Sequence, residues 1–236
     1  MPESDKNYEK RREYFHSQPP LSVKEAEEAI HKRMHLIDEE FKKGFDLIVK
    51  YPKSVTFFGS ARFDEGHKYY EAARALAGKI VKETGYAVVS GGGPGIMEAA
   101  NRGAKEAGGN SVGFTIKLPK EQTDNEFLTD LEKFHYFFSR KVMLTYSAEA
   151  YIYCPGGFGT FDEFYEILTL VQTHKIPKVP IILYCSDFWL PIVDWMKKEL
   201  VLKFETVSLT DLSNFLVTDD MDKIVEIIKT TPLRRE

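Results

Sequence analysis

Apolar and polar positions change their spacing repeatedly along this chain, and each change marks an element. Residues 1–20 are polar and end in Pro19-Pro20, which predicts a loose arm. Ser22 and Glu25 then stand at capping-box spacing. Ile30, Met34, Ile37, Phe41, Phe45 and Ile48 follow at steps of four and three. That spacing predicts one long helix of about seven turns with a single apolar stripe. The stripe suits packing on the core or against another subunit, and the spacing does not choose between them.

Beyond residue 50 the pattern alternates in kind. Apolar runs at 55–60, 86–93, 111–116, 133–138, 149–154, 179–185 and 214–219 predict strands. Helical periodicity at 66–85, 94–109, 140–147, 159–173, 187–203 and 220–230 predicts the helices between them. Pro94 near the start and the Gly108-Gly109 pair near the end frame one helix as expected. The polar stretch 117–132 reads as a loop. Strands that are apolar throughout and alternate with helices indicate a parallel sheet covered on both faces. The predicted fold is α/β, a doubly wound Rossmann-like parallel sheet with helices on both faces and an N-terminal helical extension. Two parts are expected: 1–50 as arm and amphipathic helix, and 51–236 as the nucleotide-binding catalytic domain. Ligands of such sheets lie beyond the carboxyl ends of the strands.

Composition narrows the class. The chain has 236 residues, a formal net charge of −4 and a pI near 5.9, which argues against nucleic-acid binding through bulk charge. Its two cysteines, Cys154 and Cys185, end apolar runs and read as buried, reduced strand-end thiols. No zinc spacing and no clustered set of metal ligands is visible. The start, MPESDKNYEKRREYF, lacks the apolar stretch of a signal peptide, and no run has the length of a membrane span. The expectation is a soluble, cytoplasmic protein with no membrane partner.

Three strand exits are rich in small residues: Gly59-Ser60-Ala61-Arg62, Gly91-Gly92-Gly93-Pro94-Gly95, and Pro155-Gly156-Gly157-Phe158-Gly159-Thr160. Glycine lets a ligand approach the backbone amides, and a helix N-terminus presents free N–H groups to an anion. One such turn means little; three along one sheet edge point to a phosphorylated ligand. None carries the Gly-Lys-Ser/Thr of a P-loop, and none gives G-x-G-x-x-G after the first strand.

Side chains near these turns are the candidates for chemistry. Glu163 stands three residues after Thr160, so the pair is a capping box or else Glu163 faces the cleft; both are open. Arg140 opens the predicted helix 140–147, where the dipole opposes a cation and calls for a compensating anion, with Lys141 as its solvated neighbour. Glu98 and Asn101 reach the cleft or lie on a solvated face. Asp162 reads as a helix-dipole residue and His174 as a helix C-terminal one.

Taken in order, Gly91 to Ala99, then Ser139-Arg140-Lys141-Val142-Met143, then Pro155 to Glu163 resemble the LONELY GUY family. Its members are cytokinin riboside 5′-monophosphate phosphoribohydrolases, often mislabelled lysine decarboxylases. The resemblance covers about residues 50–230, and the P-G-G-x-G-T-x-x-E signature is complete. It implies cleavage of a nucleoside 5′-monophosphate (AMP or a cytokinin nucleotide) to free base and ribose 5-phosphate, without cofactor or metal. By motif matching it places Arg140 and Glu163 on the catalytic arginine and glutamate, and Gly156, Gly157, Gly159 and Thr160 on the phosphate loop. Gly59 and Ser60 match the first-strand nucleotide contact. Gly92 and Gly93 belong to the second glycine loop, and Met143 falls near the base pocket. It also implies a homodimer or higher homo-oligomer. Two other classes use parts of the same pattern. A non-catalytic nucleotide carrier would need the glycine loops but neither Arg140 nor Glu163. A pyridoxal-phosphate decarboxylase would need a dedicated lysine, which nothing in the spacing marks.

Overall fold

The computed structural model describes residues 20–117 and 124–234. The chain divides into two units, Met1–Glu39 and Glu40–Glu236. Helix α1, Val23–Lys50, runs through the boundary. In the first unit, Ser22 and Glu25 form the expected reciprocal cap: the Ser22 backbone N–H donates to the Glu25 carboxylate at 2.9 Å, and the Glu25 N–H donates to Ser22 Oγ at 3.3 Å. Ile30 and Met34 of the stripe are exposed.

The second unit is built on seven parallel strands in the order β4-β3-β2-β1-β5-β6-β7. These are β1 (Ser54–Phe58), β2 (Ala87–Ser90), β3 (Ser111–Ile116), β4 (Asp130–Phe134), β5 (Ala150–Tyr153), β6 (Ile181–Leu183) and β7 (Leu216–Val217). Between them lie α2 (Lys68–Thr84), α3 (Ile96–Glu106), α4 (Phe137–Tyr146), α5 (Phe158–Gln172), α6 (Ser186–Trp195) and, last, α7 (Met221–Thr230). Alternate residues of one strand enter different cores. Val55, Phe57, Ile152 and Cys154 pack with α2, α3 and α7. Phe58, Tyr151 and Tyr153 pack with α4, α5, α6 and Leu47 of α1. Because both faces are dry, these strands carry no polar alternation, and the doubly wound fold follows. Phe41 and Ile48 of the stripe pack against the second of these cores.

Three elements differ from expectation. The strand placed at 133–138 lies at Asp130–Phe134, where Val112 pairs with Asp130 and Ile116 with Phe134. It is an edge strand in which every residue but Phe134 is half-exposed or exposed, so its sequence, DLEKF, resembles a loop. Phe137 and Phe138 instead open α4. The helix expected over 187–203 is α6, with Pro191 inside it, continued by a π-helical segment Met196–Lys203. Of the predicted strand 214–219 only Leu216–Val217 pairs, and it follows a short 3₁₀ helix, Leu209–Asn214. Cys154 and Cys185 are buried and unbridged, as expected. Among the described residues no helix is long and apolar enough to cross a membrane.

Strand succession reverses direction between β1 and β5. The carboxyl ends of those two strands form the switch point, where a doubly wound sheet leaves a crevice.

Candidate active site

The crevice at the switch point is a cleft of about 700 Å³, lined among others by Gly59, Ser60, Arg140, Gly156, Gly157, Gly159, Thr160 and Glu163. Eight of the residues singled out from sequence thus share one cavity wall. Gly93 lines a neighbouring pocket of about 190 Å³ that also touches Arg140. Gly92 lies beside it, buried. Met143 lies apart from both: it is fully buried in the core and packs on Gly44 of α1. The methionine on the cleft wall is Met97, in the first turn of α3.

The floor of the cleft is the start of α5. Its N-cap is Gly157, and no side chain caps it. Thr160 is the third helical residue rather than the cap, so Thr160 and Glu163 form no capping box and the first-turn N–H groups stay available. A β-carbon at Gly156 would overlap the Thr160 side chain, whereas at Gly157 and Gly159 it would meet nothing within 4 Å. Among the described residues no atom demands glycine at those two positions, so their bareness suits a ligand lying on the amides. The loop after β1 is sewn to this floor: Ser60 N–H donates to Pro155 O at 3.0 Å, and Ile96 N–H to Ser60 O at 2.9 Å.

The second glycine loop, Gly91 to Gly95, is held differently. Gly92 N–H donates to Ser90 Oγ at 2.9 Å, and Ser90 Oγ donates to Asn101 Oδ1 at 2.6 Å. Asn125 Nδ2 donates to Asn101 Oδ1 at 2.9 Å and to Gly93 O at 3.1 Å. Asn101 is therefore a buried framework residue, and Glu98 accepts from Tyr70 OH at 2.8 Å; neither lines the cleft.

That framework fixes Arg140. Its Nε donates to Phe114 O at 2.7 Å and its Nη2 to Gly91 O at 3.4 Å. A β-carbon on Gly91 would overlap the guanidinium. Arg140 lies in the first turns of α4, which starts three residues earlier than the sequence pattern suggests. The anion at that helix end is Glu40 of α1, buried, whose carboxylate accepts from His135 N–H and from Ser139 Oγ.

Glu163 sits half-buried on the first turns of α5. Burial pushes its carboxyl up to about 7, against the pull of Arg140 and Lys141, while Asp162 and Glu166 add to the rise. Burial also lowers the pKa of Arg140, with Glu163 opposing that shift. Lys141, expected to be solvated, bridges Asp162 and Glu166 at 2.8 Å each and ties α4 to α5. Among the described residues Arg140 and Glu163 make no direct ion pair, so both face the cavity across a gap that a substrate can fill.

Sequence reasoning assigns no specific task to four contributors. Gly91 clears space for Arg140, and Glu40 pins its helix. Met97 and Phe188 supply apolar wall. Glu40 had one readable signal: a carboxylate directly beside Phe41 on an apolar stripe. Among the described residues no group of three or more His, Cys, Asp or Glu is placed to hold a metal ion.

Comparison with known proteins adds two findings. A family model described as "Possible lysine decarboxylase" matches residues 97–228. Curated relatives include the cytokinin riboside 5′-monophosphate phosphoribohydrolase of Rhodococcoides fascians, 28% identical over 184 residues, covering 76% of this chain and 90% of that protein. Enzymes of the same name from Arabidopsis thaliana (30% identical, 52% of this chain, 58% of that one) and Oryza sativa (31%, 54% of each) match over shorter spans. Among solved structures, a molybdenum cofactor carrier protein from Chlamydomonas reinhardtii superposes with a TM-score of 0.55 at 20% identity, covering 76% of this chain and 97% of that one. A molybdenum cofactor binding protein from Rippkaea orientalis gives 0.54 at 21% identity, covering 75% and 94%. At these identities the structural likeness bears on the fold.

Proposed function

The chain belongs to the family described as possible lysine decarboxylase, the LONELY GUY family, and from that premise we propose that it hydrolyses the N-glycosidic bond of a nucleoside 5′-monophosphate. The observation that carries this reading is the joint exposure of Arg140 and Glu163 to one cleft floored by an uncapped helix N-terminus.

Each part has a task in such a reaction. The amides at Phe158 to Thr160 take the 5′-phosphate, and that remote binding energy orients the ribose. As the bond to the base breaks, its electron pair leaves with the base and positive charge builds on the sugar ring. The Glu163 carboxylate stabilises that charge and holds the water whose oxygen bonds to C1′. Arg140 faces the other end of the breaking bond. Arginine stays charged, so it acts electrostatically on the departing base rather than as a proton donor. The departing base takes up a proton and the attacking water loses one, so the sum is free base and ribose 5-phosphate.

The pyridoxal-phosphate chemistry suggested by the family's description does not fit. Among the described residues no lysine lines the cleft, and Lys141 is committed to Asp162 and Glu166. A non-catalytic carrier would use the loops and leave Arg140 and Glu163 without a task. Chromatography of AMP and prenylated AMP after incubation with the protein tests the proposal. Free base in step with ribose 5-phosphate supports it, and intact nucleotides at high protein concentration defeat it.

A further inference from the structure

Three charged side chains line the cleft, Arg62, Arg140 and Glu163, and Arg62 has no part in the chemistry above. Its backbone is fixed. Arg62 N–H donates to Ser60 Oγ at 3.1 Å, and Ser60 N–H donates to Pro155 O, the carbonyl just before Gly156. Its side chain is exposed, and no carboxylate among the described residues pairs with it. The contrast with nearby cations is sharp: Lys68, Arg74, Arg102 and Lys141 all sit in ion pairs.

Charge balance gives this cation a partner. A helix N-terminus offers the equivalent of about half a positive charge. A phosphate monoester carries roughly −1.5 to −2 at neutral pH. The floor of the cleft alone leaves most of that charge uncompensated. Arg140 cannot supply the rest, because it is bound to the Phe114 and Gly91 carbonyls beside the second glycine loop.

We infer that Arg62 forms the second half of the anion site, closing over a sugar 5-phosphate seated on the α5 amides. The inference rests on the phosphate seat of the proposed reaction. A planar guanidinium suits the role, since it can meet two phosphate oxygens at once.

Calorimetry on the full chain tests it with ribose 5-phosphate and adenosine as probes. Arg62→Met should weaken ribose 5-phosphate on the order of 10- to 100-fold and leave adenosine within about twofold. Arg62→Lys should recover part of the loss, and wild-type affinity for ribose 5-phosphate should fall more steeply with salt than that of Arg62→Met. Equal ribose 5-phosphate affinity in wild type and Arg62→Met overturns the inference while leaving the proposed reaction standing. Parallel losses for both probes also overturn it, because the substitution then acts on the cleft as a whole. A wild type that binds no ribose 5-phosphate removes the phosphate seat and the inference together.

Discussion

At the carboxyl end of β2, Gly91, Gly92 and Gly95 each press against other parts of the protein: Arg140, Thr115 and the Ser60–Ala61 backbone. At the carboxyl end of β5, Gly157 and Gly159 face open space. The two turns have similar compositions and opposite constructions. The first is a buried frame, tied by Ser90, Asn101 and Asn125, and its glycines are required by the fold. The second leaves its amides bare, and its glycines serve whatever lies on top of them. A glycine-rich strand exit is therefore two different devices, told apart by what a β-carbon would strike.

The largest effect is expected at Glu163. Glu163→Gln should lower kcat on the order of 10²- to 10⁴-fold while ribose 5-phosphate still binds, because the amide keeps the shape and loses the charge. The same substitution has a signed effect on stability. The folded carboxyl is raised to about 7 from 4.5, so the folded state bears an unfavourable ionisation that the unfolded chain does not. That cost is absent below about 4.5 and complete above about 7. Glu163→Gln should therefore gain melting temperature over wild type at pH 8 and not at pH 4.

The frame and the seat should then fail in different ways. Gly91→Ala should displace the Arg140 guanidinium, costing about 1–3 kcal/mol of stability and on the order of 100-fold in kcat. Gly159→Ala lies in a helix with room for the methyl group, so it should stabilise the free protein by about 0.5–1 kcal/mol. It should nevertheless raise KM for the nucleotide, by roughly tenfold, by covering the amide floor. Thermal melts paired with initial rates read both quantities. Equal behaviour of the two variants would mean that the two glycine turns are built alike.

A smaller effect is expected at Glu40. Glu40→Gln swaps one acceptor for a donor facing the His135 N–H and Ser139 Oγ. It should cost about 1–3 kcal/mol in stability and lower kcat a fewfold through Arg140, with KM nearly unchanged. An unchanged kcat in a stably folded variant would confine Glu40 to a structural role.

Much of this was legible in the sequence, for physical reasons. Strands buried on both faces read as unbroken apolar runs, so β1, β2, β3, β5 and β6 stand out, and the helices between them follow. The edge strand β4 does not, because all of its residues but Phe134 meet water and look like loop. The apolar Phe137-Phe138 pair beyond it opens a helix instead. At the site, the glycine loops and the residues matched to the family motifs mostly converge on one cleft. What spacing cannot convey is depth. Met143 and Asn101 sit near the motifs in sequence but point into packed interior, while Met97 reaches the cavity wall. Spacing does not say which residues partner across the fold, as Glu40 does with Ser139 or Lys141 with Asp162 and Glu166.

The reaction proposed for Glu163, as a carboxylate, and Arg140 is cleavage of a glycosidic bond over the α5 phosphate seat. Release of free base from AMP, followed by chromatography from pH 5.5 to 8.5 in wild type and Glu163→Gln, tests it most directly. Wild-type kcat/KM should rise with pH through about 7 and level off, and the variant should show neither the rate nor the rise. Base release by Glu163→Gln at the wild-type rate and with the same pH profile would contradict it.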